Sequence, residues 1–317
     1  MKMYRIGIDL GGTNIVTGLV NEAMEITDRV SVKTALPRSA ESMIEDMGKM
    51  VEELLDRNGL SRADIEAVGI GVPGTTNGAT GRVEYANNLG FVDVPIVEML
   101  ENRVHIPVFF DNDANVAAWG EYMTGNYEED SFIMVTLGTG VGGGIVLDGK
   151  LWTGINFAGA ELGHTTINYA GIPCNCGRIG CFEAYGSATA LIEQAQQKMI
   201  SEPDTILWKL CDNDPSKVEA KTVFDGVKAG DAACIELLDT YTTYLAEGIA
   251  NIINIFQPAY LSIGGGVSKA GEALLEPLRK KVARRIYSRY SKRNTEIILA
   301  KLDNDAGVIG AALLGKK

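Results

Sequence analysis

Ile6-Gly7-Ile8-Asp9-Leu10-Gly11-Gly12-Thr13-Asn14-Ile15-Val16-Thr17-Gly18-Leu19-Val20 decides the fold, because its pattern returns at Phe132-Ile133-Met134-Val135-Thr136-Leu137-Gly138-Thr139-Gly140-Val141-Gly142-Gly143-Gly144-Ile145-Val146-Leu147. Each copy reads as a buried strand, a glycine turn and a second strand. One supersecondary unit used twice points to two related halves. The length of 317 residues agrees, being enough for about two domains of ~150 residues with real cores. Further strands are expected at 29–34, 68–72, 108–110, 259–263 and 296–299. Met43, Met47, Met50, Val51 and Leu54 recur at helical spacing before Asn58-Gly59 and mark a core-facing helix. More helices are expected at 111–123, through much of 182–256, and at 305–314, with Ser268 capping one after the third glycine turn. Strands mixed with helices make an α/β protein. The expected division is a smaller domain of 1–122 and a larger one of 123–302, with a terminal helix (303–317) packing back on the first.

With 29 Lys+Arg against 41 Asp+Glu the net charge is −12. That balance argues against nucleic acid or an anionic membrane as partner, since both call for a basic footprint. Hydrophobic content of 46% and charged content of 22% fit a globular chain. No apolar run nears the ~18 residues of a membrane helix, and the N-terminus is charged too soon for a secretory signal. Five cysteines at this length are no disulfide framework. A cytoplasmic protein is expected. Glycine stands out, 37 of 317 residues being roughly 12% against a usual ~7%.

Several of those glycines follow buried strands, where exposed backbone N–H groups can form an anion-binding nest. Three motif matches mislead. Gly138 to Gly143 fits G-x-G-x-x-G, but a strand follows it where a dinucleotide site needs a helix. Gly69 to Gly74 fits the same pattern and ends in a proline turn. Gly144 to Lys150 nearly fits a P-loop, but Leu151 stands where a metal-holding Ser or Thr belongs; Asp148-Gly149 there reads as a hairpin turn. What remains is strand–glycine turn–strand, twice, plus Gly264-Gly265-Gly266. Together these would let an acidic protein bind a polyphosphate through backbone amides and Mg²⁺, with Asp9 orienting a water on that metal.

His164, Cys174, Cys176 and Cys181 place four soft ligands within 18 residues. They suit a tetrahedral, closed and therefore structural Zn²⁺ site, with Gly177 and Gly180 giving the tight backbone. Glu161 and Glu183 flank this cluster in sequence. Two carboxylates around an imidazole N–H are what a polyhydroxyl ligand asks for. His105 has no partner in sequence and reads as structural. In Phe110-Asp111-Asn112-Asp113-Ala114-Asn115 a strand enters a helix. Asp111 reads as an N-cap and Asp113 as a first-turn acid, yet a carboxylate here could also be the general base toward a hydroxyl. Spacing does not separate Asp111 from Asp113.

The segments 8–14, 72–74, 111–115, 137–144, 161–164, 174–183 and 264–268 together resemble the ROK sugar kinases, across nearly the whole chain and in the family's order. Cys-x-Cys-Gly-x-x-Gly-Cys-x-Glu is the most specific of them, and within the family the chain is most similar to bacterial ATP-dependent glucokinases. The resemblance implies a two-domain, actin-like (ribonuclease H-like) fold with a central cleft, and phosphorylation of glucose at its 6-hydroxyl. It selects Asp113 as base and Asn112 as a sugar contact. Glu161, His164 and Glu183 would bind sugar hydroxyls, with Gly74 and Asn88 lining the same pocket. Asp9, Gly11, Gly12, Thr13, Asn14, Gly138, Thr139, Gly140, Gly142 and Gly143 would hold ATP phosphates, with Gly265 and Gly266 near the nucleoside. It also implies Zn²⁺ at the His/Cys cluster and a homodimer or homotetramer. Some relatives are repressors with an N-terminal helix-turn-helix; a chain starting directly at its first strand, and acidic, is not expected to bind DNA. The rival readings are an N-acetylglucosamine, N-acetylmannosamine or other hexose kinase, and a non-catalytic sugar sensor.

Overall fold

The computed structural model describes residues 3–316. Met1 and Lys2, at the head of the segment read for a signal, and Lys317, the last residue expected in the terminal helix, lie outside the described residues. β1 (Tyr4–Leu10) and β2 (Asn14–Val20) form the expected hairpin, with Arg5 opposite Val20 and Leu10 opposite Ile15. β3 (Ile26–Lys33) continues it antiparallel. α1 (Ala40–Asn58) starts at Ser39, whose hydroxyl accepts the Ser42 N–H, and stops at Gly59 with a left-handed backbone. Its methionine stripe is buried, as a core face should be. β4 (Ile65–Val72) is followed by β5 (Thr75–Asn77), β6 (Arg82–Ala86) and β7 (Phe91–Val94), then α2 (Ile96–Val104), β8 (Val108–Asn112) and α3 (Asp113–Thr124). The main sheet has order β3-β2-β1-β4-β8, with β4 and β8 parallel to β1. β5-β6-β7 is a small antiparallel sheet that the sequence reading lacked, because strands of three to five residues carry too little alternation to be read. His105 closes α2 in a left-handed conformation, its N–H on Glu101 O.

β9 (Phe132–Leu137), β10 (Val141–Leu147) and β11 (Lys150–Leu151) join β12 (Tyr260–Gly264) and β13 (Glu296–Leu299) in a second sheet of order β11-β10-β9-β12-β13. β10 and β11 meet through Asp148-Gly149, both at positive φ, the two-residue turn expected there. The stretch 182–256 is helical in pieces: α4 (Glu183–Gly186), α5 (Ala188–Ser201), α6 (Leu207–Leu210), α7 (Ala220–Lys228) and α8 (Ala232–Phe256). α9 is Glu272–Arg285. Ser268 does not cap it, contrary to expectation. Residues 266–270 form a 3-10 turn, the Ser268 hydroxyl donates back to Gly265 O at 2.7 Å, and α9 begins only after Gly271.

The last helix, α10 (Ala306–Leu313), packs on β1, β4 and α3. A Cβ on Gly7 would lie 1.8 Å from Val308 O, on Gly69 1.7 Å from Ala311 O, and on Gly310 1.8 Å from Val116 O. Part of the glycine excess therefore serves backbone-to-backbone packing, including Gly69 of the rejected dinucleotide match. Arg5, buried in β1 and paired with Glu66, caps the carbonyl end of α10 by donating to Ala312 O and Leu314 O at 3.0 and 2.8 Å.

By contacts the chain groups into one unit of residues 3–130, 144–160 and 301–316, and another of 131–143 and 161–300. Residues 123–130 and 144–160, which hold the end of β10 and all of β11, thus group with the N-terminal sheet. Gly144 shows why: a Cβ there would lie 2.3 Å from Ala118 Cβ on α3. No described helix is long and apolar enough to cross a membrane.

Candidate functional site

In the first unit, Asp9 stands at the end of β1 and the turn closes with Gly11 N–H on Asn14 O at 3.0 Å. Gly12, Thr13 and Asn14 are exposed, and nothing lies within 4 Å of a Cβ built on Gly12. The turn is held from behind by Thr34, whose hydroxyl donates to Gly11 O at 2.6 Å and whose N–H meets Thr13 O at 2.9 Å. Burial, and secondarily the charge of Asp113, pushes the Asp9 pKa up to about 6. Among the described residues neither Asp9 nor Asp113 has a Lys or Arg ion-pair partner. Two desolvated carboxylates that feel each other and lack a cation are a donor set fit for Mg²⁺.

The structure separates the two aspartates of the 111–113 motif. Asp111 accepts the Asn112 N–H at 2.7 Å and the Asn115 side-chain amide at 2.9 Å, with Thr76 also bonded to it. Its carboxylate is occupied. Asp113 accepts the N–H of Ala114 at 2.9 Å, with its own N–H and the Asn112 side chain also bonded to it, and it is exposed where Asp111 is half-buried, although protein crowds it enough to raise its pKa by desolvation. The N-cap expected at Asp111 is in fact Asn112, and α3 starts at Asp113. Asn112 Oδ1 takes the N–H groups of Ala114 and Asn115, while its Nδ2 donates to Gly74 O at 3.1 Å. Gly74 has φ +101, and a Cβ there would lie 2.2 Å from Tyr85 O, so no other residue fits where β6 passes. Asn88 is exposed on the 3-10 turn Asn87–Leu89.

In the second unit the glycine turn is Gly138–Gly140, since Gly142 and Gly143 already lie within β10. Gly138 N–H bonds Gly140 O at 3.0 Å, Ala188 N–H bonds Gly138 O at 2.8 Å, and the Thr189 hydroxyl donates to Thr139 O at 2.8 Å. Glu183 accepts the Val141 N–H at 3.0 Å, and a Cβ on Gly140 would stand 2.3 Å from Glu183 Oε2. Gly265 has φ +82 with its hydrogen toward Leu137 O, where a Cβ would come to 2.5 Å; Gly266 is exposed with open space around it.

The four soft residues come together. His164 Nδ1 lies 3.7 Å from Cys174 Sγ, Cys176 Sγ lies 3.6 Å from Cys181 Sγ, and one ligand atom from each falls within 4.8 Å of the others. A tetrahedron with Zn–S bonds of about 2.3 Å has edges of about 3.7 Å, so the set fits Zn²⁺. Gly177 and Gly180 turn the chain at φ +87 and +73, and Cys174 N–H bonds Arg178 O. Burial, then its neighbouring thiols, push the Cys181 thiol up to about 12, whereas a backbone hydrogen bond at Arg178 lowers Cys176. The His164 ring turns Nδ1 to the sulfurs, which leaves Nε2 for another partner. Glu161 is exposed next to the short turn Leu162–His164.

Glu183 carries a link that sequence reasoning missed. Its Oε1 is 3.9 Å from Cys174 Sγ while its Oε2 holds the Val141 N–H, so one side chain joins the cysteine cluster to the glycine turn. No local spacing announces a contact across 42 positions.

The ROK family profile matches residues 5–317. The glucokinase of Halalkalibacterium halodurans is 36% identical over 99% of this chain and 95% of its own, and that of Thermotoga maritima 36% identical over 100% and 98%. A solved ROK family glucokinase from Streptomyces griseus, in complex with glucose and AMPPNP, superposes with a TM-score of 0.83 at 34% identity, over 98% of each chain.

Proposed function

The chain belongs to the ROK family, and on that premise we propose that it is a glucokinase, moving the γ-phosphoryl group of ATP to the 6-hydroxyl of glucose. It shares the α/β, actin-like architecture of the ROK glucokinases it resembles. The observation that carries the mechanism is the solvent-exposed carboxylate of Asp113 beside the half-buried one of Asp111, which Asn115 and Thr76 hold. Asp113 takes the O6 proton while O6 bonds to the γ-phosphorus and the bond to the β–γ bridging oxygen breaks, leaving ADP. A pKa raised by burial makes it a better proton acceptor than a surface aspartate. Asn112, fastened to Gly74 and to the start of α3, fixes the direction in which Asp113 is presented, and its amide, Gly74 and Asn88 face the sugar.

Those backbone amides of 11–14 and 138–143 that are not bonded within the protein receive the phosphates, and Gly265 with Gly266 lies against the nucleoside, which explains how a chain of net charge −12 manages a polyanion. Mg²⁺, held through Asp9, supplies neutralisation of phosphoryl charge when bound. Zn²⁺ at His164, Cys174, Cys176 and Cys181 supplies rigidity. Glu161, His164 Nε2 and Glu183 Oε1 take sugar hydroxyls. The two units act as the two domains of one enzyme, which works as a homo-oligomer.

Asp113→Asn is expected to lower kcat by about 10²–10⁴ while calorimetry still detects glucose; retention of a tenth of the activity would refute Asp113 as base. Its raised pKa puts the acid limb of kcat/KM above the range of an ordinary aspartate, with activity lost as pH falls through it. ADP release across glucose, N-acetylglucosamine, N-acetylmannosamine, fructose and allose tests the sugar, and a faster turnover on any of the others would displace glucose.

A further inference from the structure

Glu121 is buried inside α3 and carries a carboxylate whose pKa burial has raised. If the position only filled space, an apolar side chain would do so without desolvating a charge. The carboxylate instead grips one short piece of chain. Oε1 accepts the N–H groups of Lys301 and Leu302 at 2.9 and 2.7 Å, and Oε2 accepts that of Lys301 at 3.0 Å. That piece leads through the 3-10 turn Asp303–Asp305 into α10.

The start of α10 is also pressed on α3. A Cβ on Gly120 would lie 2.7 Å from Ala306 O and 2.8 Å from Gly310 N, so the two helices meet backbone to backbone at that point. One residue into α10, Gly307 abuts Asp9: a Cβ there would stand 2.9 Å from Asp9 Oδ2 and 3.0 Å from its Cγ. The same α3 presents Asp113 at its first residue. α3 and α10 thus form one frame, clamped by Glu121, that carries Asp113 and backs the Asp9 carboxylate.

We infer that Glu121 is a positioning residue for Asp9, acting through Gly307 to set where the Asp9 carboxylate meets the divalent cation. This rests on the reading of Asp9 as the residue through which Mg²⁺ is held. Gly307 is part of the device because any side chain there would push the carboxylate away, and Glu121 because it fixes the register of the helix that brings Gly307 in.

The test is Mn²⁺ binding, read by electron paramagnetic resonance with AMPPNP present, on the wild type and on Gly307→Ala, Glu121→Ala, Glu121→Gln and Asp9→Asn. Glucose affinity is measured in parallel by calorimetry. Gly307→Ala and Glu121→Ala are expected to weaken Mn²⁺ by about tenfold, the scale on which residues behind a metal ligand act, with glucose affinity within a factor of two. Glu121→Gln should fall between, because its remaining oxygen can still accept both N–H groups while its NH₂ opposes that of Lys301. If Glu121→Ala does not fold, Glu121→Gln carries its arm, and Mn²⁺ affinity unchanged in Glu121→Gln while Gly307→Ala is weakened would overturn the role of Glu121. Unchanged Mn²⁺ affinity in Gly307→Ala, with Asp9→Asn weakened, would overturn the positioning role and leave Asp9 standing. Unchanged affinity in Asp9→Asn would overturn the reading of Asp9 and the positioning role with it.

Discussion

The two strand–glycine turn–strand units come from one sequence pattern but are held in opposite ways. The turn between β1 and β2 is held by Thr34, just past the end of β3, and its outer side is open at Gly12. The turn between β9 and β10 is tied to helices: Ala188 and Thr189 of α5 bond Gly138 O and Thr139 O, and Glu183 of α4 bonds the Val141 N–H and fills the space beside Gly140. Among the described residues no side-chain carboxylate ties the first turn to the cysteine cluster, so the phosphate proposed for it would bind there independently of that cluster. The second shares a carboxylate with a side chain that also touches the cysteine cluster, so its geometry and the proposed sugar residues move together.

The largest effect should come from alanine in each turn. Gly140→Ala would thrust a Cβ to 2.3 Å of Glu183 Oε2, whereas Gly12→Ala meets nothing within 4 Å. Gly140→Ala is therefore expected to lose about a hundredfold or more in kcat/KM, of the kind a 1 Å misplacement produces, with glucose and ATP parameters both affected. Gly12→Ala should keep the melting temperature of the wild type and weaken only ATP. A Gly12→Ala protein that loses glucose affinity as well would end the claim that the first turn is independent.

Removal of the zinc proposed at the cysteine cluster should divide the turns next. With a chelator, the cluster loses what fixes Cys174, and Glu183 loses its neighbour. The apparent KM for glucose is expected to rise by about tenfold, the scale reported for loosened metal surroundings. Amide exchange should quicken over 138–141 and stay unchanged over 11–14. Equal protection of both turns before and after chelation would sever the cluster from the second turn.

That contrast was only half legible in the sequence. Alternating strand and glycine runs are local, so β1, β2, β9, β10 and the hairpin at Asp148-Gly149 could be read directly, and so could the tight spacing of Cys174, Cys176 and Cys181. Long-range wiring could not. Glu183 and Val141, Thr34 and Gly11, and Glu121 and Lys301 are pairs separated by 42, 23 and 180 positions, and nothing in a glutamate or a threonine names its partner. Asp111 and Asp113 show the same limit at short range. Both are acids at a strand–helix junction, and only the packing of Asn115, Thr76 and Asn112 reveals which is already engaged. Asn112, expected as a sugar contact, is also the cap, because its Oδ1 accepts the N–H groups of Ala114 and Asn115 while Asp111 is held by Asn115 and Thr76.

Asp9 gives a smaller effect, confined to the first turn. Its pKa of about 6 in the folded protein exceeds the usual 3.8, so in the metal-free protein the folded state binds this proton more tightly than the unfolded one. The resulting stabilisation is present below pH about 4 and lost as pH rises through about 6. Asp9→Asn should therefore be more stable than the wild type at pH 7 by at most about 3 kcal/mol, with the difference vanishing near pH 4 and shrinking when Mg²⁺ and ATP are added. Denaturant melts at the two pH values measure it. The opposite sign, a destabilised Asp9→Asn at pH 7, would mean that a cation partner for Asp9 is built into the protein itself.

The smallest effect sets the two threonines against each other. Thr34 and Thr189 do the same job, each giving a hydroxyl to a turn carbonyl, at 2.6 and 2.8 Å. Thr34 is fully buried, while Thr189 is exposed. Replacing either by Val keeps the shape and removes the donor. At Thr189 water can take over the Thr139 carbonyl, so the cost should be no more than about 1 kcal/mol. At Thr34 the hydroxyl's place is sealed, and Gly11 O loses a donor that water cannot replace from that side, which should cost about 1–3 kcal/mol. Thr34→Val is thus expected to shift the urea midpoint more than Thr189→Val, although the catalytic order is reversed: Thr189→Val disturbs a turn coupled to Glu183 and should raise the glucose KM slightly, where Thr34→Val should not. If both variants changed stability and KM in the same order, the two turns would be held alike in solution, and the distinction between the Thr34-held turn and the helix-wired one would fall.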